Sequence, residues 1–261
     1  MRTPSLIAAV AAAAGFVSTI SAQDAAADPV AEGAETMPDA TLSLLDGWEG
    51  SVTAGVNGST GNTENLNLRG EIKAGRESRR MKTSLRLLYS YATSDGEESE
   101  NRFFGEARND WKLGDSKWRL FVQGSYEYDE FKAWDHRVTL FAGAGYAFIE
   151  NDKTTLVGRA GLGGAYEIGD DDDLIPEALL GVDFEHQLTE RQTIAFTSDL
   201  FPSLEELGDY RVRSLLAWEV MIDPEVNLVL RAGIESRYDS SPGEGVKRHD
   251  LDYFIALGWS F

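Results

Sequence analysis

The chain of 261 residues contains no cysteine. An exported protein of this composition holds its fold without disulfides, so a small stapled scaffold is excluded, together with cysteine nucleophiles and thiolate metal sites. Bases are scarce: 24 lysines and arginines stand against 44 acids, a formal charge of -20. Nothing in that balance neutralises phosphates, which excludes nucleic acid as a partner. Long apolar runs are missing too. The run from Leu6 to Ile20 falls short of the roughly 20 residues of a spanning helix. Prolines number only seven, whereas glycine is plentiful at 26 residues and aromatics make up 10%. That mixture suits strands and turns better than helices, where an interior glycine costs about 1 kcal/mol.

Met1-Arg2-Thr3-Pro4 is a short positive start, and Ser21-Ala22 ahead of Gln23 offers a small-residue cleavage site after the apolar run. Residues 1–22 therefore read as a signal peptide for export. Residues 23–46 hold six acids and no base and read as a flexible acidic leader, too polar to offset the entropy of ordering. Within it, Leu42 to Leu45 is the part suited to docking as a short plug.

From Gly47 onward the chain divides into twelve runs of period-2 alternation separated by turn clusters. They are Trp48–Asn57, Glu64–Gly75, Met81–Thr93, Glu100–Leu113, Lys117–Tyr128, Asp135–Ile149, Thr154–Ile168, Leu174–Leu188, Gln192–Pro202, Tyr210–Ile222, Val226–Tyr238 and Arg248–Phe261. One face of most of them is apolar, as with Leu66, Leu68 and Ile72, and the alternate face is polar or charged. A soluble sandwich and a transmembrane barrel both satisfy this pattern. Length favours the barrel, because soluble strands usually run about 5 to 6 residues and a tilted membrane crossing needs roughly 9 to 11. Connections after even-numbered runs are short, and several after odd-numbered ones are longer. This is the asymmetry of an outer-membrane barrel with both termini inside. The expected fold is thus all-β: an antiparallel up-and-down transmembrane barrel of about twelve strands over residues 47–261. Its last strand presents Tyr253, Ile255, Leu257, Trp259 and Phe261 on one face, an aromatic-tipped assembly signal. The implied partners are outer-membrane lipid and the export and barrel-assembly machinery.

The polar face supplies a lumen of mixed charge. Arg69, Arg86, Arg108, Arg119, Arg137, Arg159, Arg213 and Arg231 each fall on a different run. Glu71, Glu106, Glu127, Glu185, Glu219 and Glu235 are available as counter-charges. Such a lumen is either a narrow solute pathway or a salt-bridge ladder that fills the barrel. Three outer connections are acidic: Asp95, Glu97 and Glu98 with Glu100; Asp170, Asp171, Asp172 and Asp173; and Glu205 and Glu206 with Asp209. Clustered carboxylates are candidates for weakly held divalent cations, Asp170 to Asp173 above all. Their other role is to keep the strand tips solvated, and no loop has the spacing of a formed calcium site. His136, His186 and His249 are the candidate bases of a hydrolase, but no G-x-S-x-G turn or H-E-x-x-H pair accompanies them. A non-enzyme without cofactor is expected.

Residues Gly47-Trp48-Glu49-Gly50, then Gly58-Ser59-Thr60-Gly61-Asn62-Thr63 and a second strand with Asn65, Leu66 and Asn67, resemble the salt-induced outer-membrane protein family of Gram-negative bacteria. The resemblance covers residues 47–261 and implies an outer-membrane barrel without assigned substrate or catalytic residues. The leading expectation is an integral outer-membrane barrel, structural in the envelope or passing small solutes and ions. A cation-binding or surface-interaction protein acting through its acidic loops is second, and a lipid hydrolase third.

Overall fold

A computed structural model of the protein describes residues 47–59, 65–169, 172–206, 208–243 and 245–261. The expected signal peptide and acidic leader lie outside the described residues. The strands are β1 (Glu49–Ser59), β2 (Asn65–Glu77), β3 (Met81–Ser94), β4 (Glu97–Lys112), β5 (Trp118–Asp129), β6 (Trp134–Glu150), β7 (Thr154–Gly169), β8 (Asp173–Thr189), β9 (Gln192–Pro202), β10 (Tyr210–Asp223), β11 (Leu228–Asp239) and β12 (His249–Ser260). Each pairs antiparallel with its neighbours in chain order, and β12 returns to β1, closing a barrel. An even strand count places the start of β1 and the end of β12 at the same end. The odd-numbered connections lie at the other, the loop end.

Alternation sorts the side chains by face. Leu140, Leu162, Leu180, Trp218 and Ile255 point outward and are exposed, and so wide an apolar belt marks a face that meets lipid or another protein. Tyr253, Ile255, Leu257, Trp259 and Phe261 belong to it, from 50% to 82% exposed. Inward positions carry most of the charge. They are not uniformly polar, as the alternation had suggested: Leu88, Phe104, Phe121, Phe141, Leu179 and Val229 are buried inside. Phe121, Phe141, Leu179 and Phe201 form an apolar cluster among β5, β6, β8 and β9. Inward glycines make room for these large neighbours. A Cβ on Gly161 would stand 2.9 Å from the Phe121 ring, and one on Gly181 would stand 2.9 Å from the Arg159 guanidinium.

Most boundaries shift by one to three residues, and three of the shifts have a local cause or consequence. The anticipated outer loop around Ser94 to Ser99 shrinks to a two-residue turn at Asp95-Gly96, with φ of 53° and 82°, the left-handed pair that suits strand twist in a tight hairpin. Glu97 and Glu98 therefore join the β4 ladder opposite Ser94 and Thr93. At β1 the ladder runs on through Gly58 and Ser59, opposite Leu66 and Asn65; Gly61-Asn62-Thr63 lies outside the described residues. The start of β11 moves to Leu228, because Asn227 turns the chain at φ 55°.

The closing seam is shorter than the other joints. β1 meets β12 through Ser51↔Ser260, Val52↔Trp259, Thr53↔Gly258 and Ala54↔Leu257, whereas β1 and β2 pair from Glu49↔Gly75 to Ser59↔Asn65. Reciprocal hydrogen bonds of 2.9 Å between Gly50 and Phe261 extend the seam at its terminal end.

Candidate functional site

Two ionic networks fill the interior. In the first, the fully buried Glu235 of β11 accepts from Arg69 of β2 at 2.9 Å and from Arg86 of β3 at 2.9 Å, and faces Arg102 of β4 at 3.5 Å. Arg86 also donates to Glu71 at 2.6 Å, and Glu71 pairs with Arg231 at 3.3 Å. Arg102 continues to Glu127 of β5 at 2.8 Å, which receives Arg213 of β10 at 3.0 Å. Arg231 reaches Glu219 at 3.4 Å. Because β10 and β11 stand across the lumen from β4 and β5, these pairs bridge the barrel rather than line it. Aromatic rings pack against the guanidinium groups: Arg213 lies 4.1 Å from the Phe104 ring centre, and Arg69 4.1 Å from that of Phe254. Burial leaves Arg102 and Glu235 no contact with solvent.

The second network spans β4 to β9. Arg159 donates to Asp183 at 2.8 Å, Asp199 at 2.7 Å and the Gln123 amide oxygen at 2.6 Å. Arg108 reaches across to Asp183 at 3.0 Å and sideways to Asp110 at 3.0 Å. Gln123 donates to Glu106 at 3.1 Å. Arg119, toward the terminal end, pairs with Glu150 at 3.1 Å. The structure thus gathers Arg69, Glu71, Arg86, Glu127 and Arg231 into one network and Glu106, Arg108 and Arg159 into the other, with Arg119 in neither.

At the loop end, the interior opens into a recess of about 50 Å³. Lys132, Arg137, Arg211, Arg213, Arg237 and Arg248 line it, with Trp134 and Phe201 among them and only Glu127 and Asp239 as acids. Several of these bases escaped the sequence reading. The signal was present, since Arg211 and Arg213 stand two apart on β10 and Arg237 lies six past Arg231 on β11, all on inward positions at the loop end. Arg102 was missed as well, although it shares the β4 parity of Glu106 and Arg108.

The acidic connections do not converge. Glu97 and Glu98 lie in β4, Asp172 accepts from the Tyr166 hydroxyl at 3.1 Å, and Asp170 and Asp171 lie outside the described residues. Among the described residues, no group of three histidines or acids is placed to hold a metal ion. The histidines are scattered, His136 and His249 toward the loop end and His186 toward the terminal end: His136 bonds Tyr126 at 2.9 Å, His186 bonds Thr154 at 2.8 Å, and His249 bonds Ser236 at 2.9 Å. The Ser236–His249 pair has the reach of a nucleophile and base. It lacks an orienting carboxylate, because the neighbouring Asp250 is drawn away to Lys132 at 2.6 Å.

The chain belongs to a family described as proteins of unknown function, DUF481, whose profile matches residues 52–261. No curated protein matches the sequence. Among solved structures, the NanC porin is similar at 11% identity and a TM-score of 0.48, over 81% of this chain and 98% of that one. The translocator domain of the autotransporter NalP from Neisseria meningitidis is similar at 14% identity and a TM-score of 0.46, over 85% and 92%. At such distances the architecture of this chain rests on its own closed strand ladder.

Proposed function

We propose that the protein is an integral outer-membrane barrel that acts as a structural element of the envelope, its interior sealed by side chains and closed to free permeation. The observation that carries this is the cross-lumen bridge of Arg102, Glu235 and Glu127, which has no solvent contact at Arg102 and Glu235 and is flanked by Phe104 at 1% exposure. The outward apolar belt supports a bilayer setting, in which a closed ladder pairs the strands with one another and lipid supplies the apolar surrounding. No catalytic role is assigned. The test is planar-bilayer conductance of protein assembled from the full chain, with and without millimolar calcium. Folded, inserted protein is expected to give no discrete current steps under either condition. Ion-selective steps from the unaltered protein would overturn the sealed interior and make the arginine-lined lumen a pathway.

A further inference from the structure

The recess at the loop end stands out against the charge of the chain. A protein with a formal charge of -20 has gathered six bases around one small hollow, with two acids on the same wall. Four of the bases have carboxylate partners that do not themselves line the recess. Glu177 accepts from Arg211 at 2.6 Å, Glu167 from Arg137 at 2.6 Å, Asp250 from Lys132 at 2.6 Å and Asp252 faces Arg237 at 3.2 Å. Charge is therefore roughly balanced over the whole mouth, with its positive groups facing in. Aromatic rings fix two of the guanidinium planes: Arg137 lies 4.1 Å from the Trp134 ring centre, and Arg211 lies 5.0 Å from that of Phe201. Arg237 keeps Nε and Nη1 buried with no hydrogen-bond partner among the described residues, Nη1 facing the Asp129 carboxylate at 3.8 Å. Buried donors left open in this way ordinarily cost free energy, and a ligand oxygen would satisfy them.

We infer that this recess binds an oxyanion group, a phosphate or carboxylate, carried by a soluble molecule that reaches the barrel from its loop end. The fork of a guanidinium matches two oxygens of such a group, and forks already held by carboxylates and rings lose little freedom on binding. Size sets the limit. A volume of about 50 Å³ is a few times the roughly 10–15 Å³ that one water needs and suits one small anionic group, so the rest of the molecule stays in the mouth or outside. A lipid headgroup is the wrong source, because Arg137, Arg211, Arg213 and Arg237 occupy inward positions of β6, β10 and β11, and lipid meets the opposite face of those strands. The placement at the outer end rests on the barrel reading given above; the binding chemistry does not.

The experiment is calorimetric titration of the full-length protein, folded in phosphatidylcholine nanodiscs at low ionic strength, with inorganic phosphate as the probe. Retained strand circular dichroism reports the fold independently, so loss of that signal marks a failure of the barrel reading rather than of the site. Saturable binding at one site is expected, and it should weaken by at least about tenfold in Arg237→Gln, as loss of a charge-assisted contact requires. Arg248→Gln, on the exposed rim, is the second variant because its folding is not at risk, and it should weaken binding severalfold with a reduced salt dependence. Three results would overturn the inference: no saturable binding by folded protein, affinity unchanged in both variants, or binding in phosphatidylcholine that disappears in phosphatidylglycerol, which would give the recess to a lipid headgroup.

Discussion

The two interior networks are both built on arginine and carboxylate and differ in how dry their centres are. Glu235 and Arg102 have no solvent contact, and one carboxylate there faces three guanidinium groups from β2, β3 and β4. In the other network, a single guanidinium, that of Arg159, is shared by carboxylates at 13% and 19% side-chain exposure, with Gln123 as a neutral third partner. Water reaches both carboxylates around Arg159, whereas at the centre of the first network it reaches neither Glu235 nor Arg102, and their neighbours Arg69 and Arg86 keep 11% and 15% side-chain exposure. The lesson is that the cost of breaking a pair follows the access of solvent to what remains, more than the number of contacts drawn.

The comparison breaks most readily at Glu235. Glu235→Gln strands three buried cations and is expected to lower stability by about 3–5 kcal/mol, read as a shift in the urea unfolding midpoint of the detergent-folded protein. Arg159→Gln removes more individual hydrogen bonds yet leaves carboxylates that water can reach, and about 2–3 kcal/mol is expected. If the two substitutions cost the same, solvent access is not what separates the networks. Gly181→Ala sharpens the point by leaving every charge in place. Its Cβ would crowd the Asp199 carboxylate, its nearest neighbour, and the Arg159 guanidinium at 2.9 Å, and displacement of that pair is expected to cost about 1–2 kcal/mol, visible as a smaller midpoint shift.

The barrel itself was legible because period-2 alternation fixes which residues face in, and twelve alternating runs place twelve strands. Gln192–Pro202 is the same segment in the sequence pattern and in β9. Boundaries slipped where one or two residues adopt left-handed backbone, as at Asp95-Gly96 and Asn227, because a run of acids reads as loop whether or not it continues the ladder. The interior was legible in parity and opaque in partners. Arg69 and Glu235 are separated by most of the barrel sequence, and only closure of β12 on β1 brings β2 within reach of β11, with β1 and β12 between them. The aromatic plug was hidden for another reason: Phe121 and Phe141 sit among inward Arg119, Gln123 and Arg137, where composition alone suggests a polar face. The basic mouth was masked by the acidic loops around it, since counting charge along the chain mixes groups that the strands turn to opposite sides.

The short seam between β1 and β12 bears on how such a wall comes to be closed. Neighbouring strands elsewhere are joined by turns as tight as Asp95-Gly96, so their pairing is local and carries little loop-closure cost. The seam instead brings together the two extremes of the folded sequence for four ladder pairs and the Gly50–Phe261 clasp. It therefore has the largest entropic cost and the fewest bonds in return, the combination that makes long-range strand pairing slow. In assembly it is the joint with most reason to form last, and the contacts of Glu235 with Arg69 and Arg86, which span it from inside, act as a latch on a door whose edges barely overlap.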